Sequence, residues 1–223
     1  MSGDDEGEAR RYASPACLMG EVDPSYMGLD HVDVQAQRAS ILRWRMAERL
    51  RLIAARIEVP AETRSRWTQR ILARLDVLLP DLEGKVVSFY WPLRGEPDLR
   101  PWLDVVLRRR ATTALPVIVA KDAPLAFRTW RPGDKLVPGV WRIPEPEAGH
   151  DTIPDVVLAP VVGFDARRFR LGYGGGYFDR TLAAFAIKPR VVGVGYAQAE
   201  IPTIYPLAHD IPMDLVVIEE GVI

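Results

Sequence analysis

The chain has 223 residues, 48% of them apolar and 26% charged, enough for one well-buried α/β domain with an appendage. A formal net charge of −1 gives no overall basic field, so nucleic acid and anionic membranes are not expected as partners and any anion site has to be local. The single Cys17 excludes an internal disulfide and no zinc-ligand spacing is present; with no export signal and no apolar run of membrane-spanning length, the expected location is the cytoplasm.

Residues 1–33 differ in composition from the rest of the chain. Gly3-Asp4-Asp5-Glu6-Gly7-Glu8 is acidic and Ser14-Pro15-Ala16-Cys17 is irregular, so the segment is read as a partly disordered appendage before a domain over 34–223. Its apolar residues, among them Leu18, Tyr26 and Leu29, could fasten it to a surface. From Asp33 to Ile57 the spacing predicts a helix, with Leu42, Met46, Leu50, Ile53 and Ile57 as its buried stripe. Arg45, Arg49 and Arg56 fall within a wedge of about 40° beside that stripe. Charged helix faces are usually solvated, but a row next to a buried stripe also fits a cleft, and both readings stay open. Pro60 to Leu79 predicts a second helix with Trp67, Ile71, Leu75 and Leu78 on its packed face.

Val86 to Trp91 reads as the first core strand, entering a turn that carries Glu96. In open α/β sheets that edge is where ligands collect, although a glutamate in a turn is more often merely solvated. Leu99–Arg110 predicts a helix whose terminal arginines complement its dipole. Ala114–Val119 and Leu125–Trp130 predict two further strands. Aromatic residues of the next stretch could cover a flat ligand, with buried packing an equal explanation for Trp130 and Trp141. Asp155–Val162 is a short continuous apolar run, the pattern of a strand buried on both faces.

The glycine-rich stretch after that strand is the most informative one. Arg170-Leu171-Gly172-Tyr173-Gly174-Gly175-Gly176-Tyr177-Phe178-Asp179-Arg180 places four glycines in five positions between a strand and a helix start. Glycines let backbone N–H groups approach a phosphate, and a helix N-terminus favours negative charge. Neither the Rossmann nor the P-loop spacing is present, so local chemistry leaves a plain turn as an alternative. Arg170 and Arg180 add positive charge, and Asp179 offers a hard oxygen ligand of the kind Mg²⁺ accepts. Arg190–Tyr196 and Asp214–Ile218 predict the last two strands, with His209 and Asp210 between them. A lone loop histidine more often packs or caps than catalyses. Asp179 and Asp210 could equally be a helix cap and a turn cap.

Pro160-Val161-Val162-Gly163-Phe164-Asp165 with Arg170 to Arg180 resembles the signature of the 5-formyltetrahydrofolate cyclo-ligase family, with weaker features in order from Arg45 to Glu219. The resemblance implies a Rossmann-like three-layer α/β sandwich with a mainly parallel sheet, and ATP-dependent closure of 5-formyltetrahydrofolate to 5,10-methenyltetrahydrofolate with release of ADP and phosphate. It implies ATP contacts from Arg45, Arg49, Arg56, Arg170, Gly172, Tyr173, Gly174, Gly175, Gly176, Tyr177 and Phe178. The folate substrate would meet Trp91, Glu96, Tyr173 and Tyr177, with Tyr177 as a positioning residue and no side-chain nucleophile. Mg²⁺ would be held by Asp179 and Asp210. Two positions depart from the family pattern: Arg45 stands where lysine is usual, and Arg168 stands where a glycine is usual. Two alternatives remain at this stage, a family-like paralogue that binds nucleotide or a pterin-like compound without this reaction, and a non-catalytic binding protein that recruits a partner through the arginine helix.

Overall fold

The computed structural model describes the backbone of residues 31–223 and the side chains of 34–223. Apart from the helix backbone that begins at His31, the expected appendage lies outside the described residues. The chain divides into two compact units, 1–43 and 44–223. Within the first, Ser40 Oγ donates to Ala36 O at 3.0 Å, and Arg43 donates to Ser40 Oγ at 3.0 Å.

In chain order the elements are α1 (His31–Glu58), α2 (Ala61–Leu78), β1 (Val86–Ser88), a 3-10 turn (Arg100–Trp102) running into α3 (Leu103–Arg108), β2 (Thr112–Val117) and β3 (Ala126–Thr129). Next come β4 (Leu136–Pro138), β5 (Pro144–Pro146), β6 (Asp151–Thr152), β7 (Val156–Pro160), β8 (Gly163–Phe164), β9 (Arg170–Leu171), α4 (Tyr177–Ala184), β10 (Arg190–Val194) and β11 (Leu215–Val217). The main sheet runs β11-β10-β7-β1-β2-β3-β6, parallel from β11 to β2 and antiparallel at β3 and β6.

The central strand β7 shows why the sheet is covered on both faces. Its side chains alternate, so Val156 and Leu158 join one core with α2 and α3 residues such as Ile71, Leu75 and Leu103. Val157 and Ala159 point the other way, into clusters that include Leu182 of α4 and the flanking Phe178 and Phe185. This is the three-layer α/β sandwich expected from the sequence. No helix among the described residues is long and apolar enough to cross a membrane.

The expected packing of α1 is corrected. Leu42, Met46, Leu50 and Ile57 are exposed, Met46 and Leu50 at 65% and 62%, and only Ile53 of the expected stripe is buried. The helix is turned by roughly 80° from that reading, so Arg45, Leu52 and Arg56 face the domain. The physical reason is that the arginines find acceptors there, while Leu52 and Ile53 pack with Val162, Leu171, Ile201 and Ile204. Strand β1 is also shorter than the run Val86–Trp91, because the chain leaves the sheet after one further bond from Phe89 N to Ala114 O.

The strand pair β8–β9 and its turn deliver the chain into the glycine loop. Asp165, almost wholly buried, accepts N–H bonds from Arg167 and Phe169 through one oxygen and from Ile204 through the other. The turn requires a left-handed residue, and Arg168 supplies it at φ +65°. A side chain in that conformation costs about 1–2 kcal/mol, which glycine avoids. Arg168→Gly is therefore expected to raise stability by about 0.5–1 kcal/mol once the extra freedom of glycine in the unfolded chain is subtracted. Equilibrium denaturation checks this: an unchanged or lower midpoint contradicts the strain at this turn.

Candidate active site

The carboxyl ends of β1 and β7 lead into the two loops that form the site, the position where open parallel sheets collect ligands. After β1, the turn over Leu93–Glu96 is closed by Glu96 N donating to Leu93 O at 3.0 Å and by Leu93 N donating back to Glu96 Oε2 at 2.8 Å. Gly95 takes φ +78°, and Tyr90 OH donates to Pro97 O at 2.8 Å behind the turn. Glu96 is consequently buried at 6% exposure. Burial pushes its carboxyl above the usual carboxylate range against the opposing charge of Arg56.

The glycine loop reaches this carboxylate directly. Tyr173 OH donates to Glu96 Oε1 at 2.8 Å and accepts from Arg56 Nη2 at 2.7 Å, with Arg56 itself 3.8 Å from Glu96. Burial and the Glu96 charge raise the Tyr173 pKa strongly, which keeps it a neutral phenol donor. Gly174 and Gly176 adopt φ +98° and +64°, conformations that let the loop reverse into α4. Among the described residues no backbone acceptor takes the amide N–H groups from Tyr173 to Tyr177. A run of unpaired amides at the start of a helix is suited to oxyanions.

Each arginine of α1 has a different task. Arg45, 4% exposed, donates Nε to Ile204 O, Nη2 to Tyr205 O and both terminal nitrogens to Asp210, the shortest contact being 2.5 Å. Arg49 gives only its Nε, to Gly172 O at 2.6 Å, and among the described residues its two terminal nitrogens have no protein acceptor. Burial and the nearby Arg45 charge lower its pKa. Arg56 holds Arg94 O, Val161 O and Tyr173. The family resemblance implied triphosphate contacts for all three. The structure engages Arg45 with the 204–210 loop, puts Arg56 beside the Glu96 carboxylate, and leaves Arg49 with its fork available.

The two expected metal ligands reach adjacent places from the first turn of α4 and from the loop before β11. Ile211 N donates to Asp179 Oδ1 at 3.3 Å, which puts Asp179 beside the residue after Asp210. Asp179 Oδ2 meets Arg170 Nη2 at 3.3 Å. Both contacts are long and leave lone pairs available. Asp210 is more fully engaged: burial alone would raise its pKa, but Arg45 and the Leu207 amide outweigh that and hold the carboxyl below its ordinary value. No group of three metal-ligating side chains occurs among the described residues. A nucleotide-borne Mg²⁺ needs only one or two protein carboxylates, and Asp179 fits that role better than Asp210 does. His209 is mainly exposed, 3.8 Å from Asp210.

Other expected residues lie at the margins. Phe178 packs into the core with the Arg170 guanidinium 4.7 Å from its ring centre, and Trp91 lies against Trp130 and under Arg100. Tyr177 stands at the loop surface, with Arg180 over one side of its ring and Trp141 edge-on at 5.8 Å. The sequence reading treated Trp130 and Trp141 alike, but Trp130 is buried whereas Trp141 is 66% exposed. Trp141 sits at the tip of the β4–β5 hairpin, where it and Arg142 are both left-handed at φ +54° and +60°. Between Gly139 and Pro144 only Arg142 is charged, so the local sequence did not separate the exposed Trp141 from a buried one. A separate cavity of about 400 Å³, lined by residues including Leu107, Trp130, Asp134 and His150, contains none of the expected site residues. It lies at the opposite edge, where β2 begins and β3 ends.

Residues 36–219 match the sequence model of the 5-formyltetrahydrofolate cyclo-ligase family. A 5-formyltetrahydrofolate cyclo-ligase of Mycolicibacterium smegmatis is 31% identical over 174 residues, covering 74% of this chain and 88% of that protein. The Escherichia coli K12 enzyme of the same name is 29% identical over 163 residues, covering 70% and 90%. The solution structure of Aquifex aeolicus 5,10-methenyltetrahydrofolate synthetase superposes with a TM-score of 0.69 at 30% identity, over 80% of this chain and 91% of that one. A Mycoplasma pneumoniae 5,10-methenyltetrahydrofolate synthetase shares the fold at a TM-score of 0.65 and 21% identity, over 78% and 98% of the two chains. With its family match extending from the arginine helix through the glycine loop to the last strand, the chain belongs to the 5-formyltetrahydrofolate cyclo-ligase family.

Proposed function

We propose that the protein converts 5-formyltetrahydrofolate to 5,10-methenyltetrahydrofolate, using ATP and releasing ADP and phosphate. The observation that carries this reading, beside family membership, is the contact of Tyr173 with Glu96. It joins a buried carboxylate acceptor to a glycine loop with unpaired amides, as a reaction between a pterin and a triphosphate requires.

Glu96 accepts N–H donors of the pterin and fixes the ring, since a buried carboxylate held by Leu93 N cannot turn away. The amides of Tyr173 to Tyr177 and the fork of Arg49 hold the triphosphate, while Arg170 adds buried positive charge behind the loop. The formyl oxygen attacks the γ-phosphorus and ADP departs; N10 then attacks the activated carbon and phosphate leaves. No side-chain nucleophile takes part, so catalysis is positioning and charge neutralisation. Asp179, with Asp210 adjacent, would hold Mg²⁺, which supplies further neutralisation of phosphate charge. Trp141 and Tyr177 stand over the loop, where they limit water around the phosphates. Arg45 acts at one remove, fastening the loop that carries Asp210 to α1.

Absorbance of the methenyl product in the near ultraviolet tests the reaction. Product is expected only with both MgATP and 5-formyltetrahydrofolate, and Glu96→Gln should raise the folate KM at least tenfold while ATP binding persists. A wild-type protein that binds both compounds but forms no product would support the non-reacting paralogue instead.

The arginines can be separated by stability. Removing one partner of a buried ion pair costs about 3–5 kcal/mol, so Arg45→Ala should destabilise by that amount. Arg49→Ala removes one charge-assisted hydrogen bond to Gly172 O, about 1.5–3 kcal/mol at most for a partly exposed side chain, but should weaken ATP binding by one to two decades. Denaturation and nucleotide titration of both variants check the division. Equal stability losses, or an ATP defect larger in Arg45→Ala at intact fold, contradict it.

A further inference from the structure

The Glu96 carboxylate proposed to receive the pterin is already occupied. Its Oε1 takes the phenol of Tyr173 at 2.8 Å and its Oε2 takes Leu93 N at 2.8 Å. Tyr173 is nevertheless 39% exposed, so its ring lies at the surface while its hydroxyl reaches inward. The Arg94 guanidinium is 5.9 Å from the centre of that ring. The residue stands between Gly172 and Gly174, and Gly174 is left-handed at φ +98°. Glycine on either side gives the backbone at this position unusual conformational freedom.

From this geometry we infer that Tyr173 is an internal substitute for the substrate: its phenol keeps the pterin-recognising oxygen of Glu96 occupied until folate displaces it. This deepens the cyclo-ligase reading and rests on it. The chemistry is an exchange of donors, with O–H···O replaced by N–H···O. Glu96 therefore does not lose its donor within a buried site, where an unpaired carboxylate would be costly. Arg56 Nη2, now on the Tyr173 oxygen at 2.7 Å, is released by the same exchange. It lies 3.8 Å from Glu96 Oε1 and becomes available to an oxygen of the incoming ring.

The place of Tyr173 has two consequences. Folate binds only the fraction of molecules in which the phenol has left, so apparent affinity is reduced by that fraction. Tyr173 is also part of the phosphate loop. The neighbouring carbonyl of Gly172 is held by Arg49 at 2.6 Å, and the Tyr173 amide is one of the unpaired ones. Displacing the phenol therefore changes the loop that receives the triphosphate, and by linkage a bound nucleotide changes the affinity for folate equally. Tyr173 is thus a positioning residue that couples the two substrates.

The test is calorimetric titration of 5-formyltetrahydrofolate into wild type, Tyr173→Phe and Glu96→Gln, each with and without a magnesium complex of a non-hydrolysable ATP analogue. The phenylalanine variant retains the ring and loses only the competing hydroxyl. It is expected to bind folate about tenfold more tightly without nucleotide, and the nucleotide effect seen in wild type should be lost. Unchanged or weaker binding by Tyr173→Phe, with Glu96→Gln still defective, overturns the inference and leaves the functional reading standing. Wild-type folate affinity in Glu96→Gln, or no folate binding by any of the three, removes the pterin assignment and the inference with it.

Discussion

A buried guanidinium must have an acceptor for nearly every N–H it carries, and satisfying that requirement on one helix organises this site. Arg45 and Arg56 of α1 are both 4% exposed. Through them α1 reaches the 204–210 loop, the end of β7, the turn after β1 and the glycine loop. A purely apolar seam would bury the helix as well, but it would not fix the positions of Asp210, Glu96 and Tyr173 relative to one another. The left-handed Arg168 and the buried Asp165 belong to the same arrangement, since Asp165 binds Ile204 N and so links the entry of the glycine loop to the loop Arg45 holds.

Under the proposed function, this division of labour lets two substrates share one edge of the sheet. The turn after β1 presents a carboxylate made selective for donors by burial, and the loop after β9 presents amides selective for oxyanions. Opposite demands of charge are met about one side chain apart because Tyr173 belongs to one loop and bonds to the other. The metal question has the same form. Asp210 is largely neutralised by Arg45, whereas the longer contacts of Asp179 make it the freer of the two carboxylates proposed to hold Mg²⁺.

Much of the fold was legible in the sequence, because the continuous apolar runs at Val156–Pro160 and Val191–Val194 admit little besides strands buried on both faces. The glycine loop was legible for a similar reason: four glycines between a strand and a helix have few structural uses. The face of α1 was not. Hydrophobic periodicity assumes that apolar residues mark the buried side, and here guanidinium groups with distant acceptors displaced Met46 and Leu50 to the surface. Those acceptors lie more than one hundred residues away for Arg45, so no local pattern reveals them. For Trp141 the sequence left cover over a flat ligand and buried packing equally open, since its place beside Tyr177 depends on a hairpin that brings separate segments together.

The central claim is that the amides of Tyr173–Tyr177 receive the triphosphate beside a Glu96 that receives the pterin. Amide hydrogen exchange measures both places in one experiment. Unpaired amides exchange quickly, so a magnesium complex of a non-hydrolysable ATP analogue should slow exchange across Tyr173–Tyr177, and 5-formyltetrahydrofolate should slow it around Leu93–Glu96. Ligand protection confined to segments lining the opposite-edge cavity, with the glycine loop unchanged, would contradict the account.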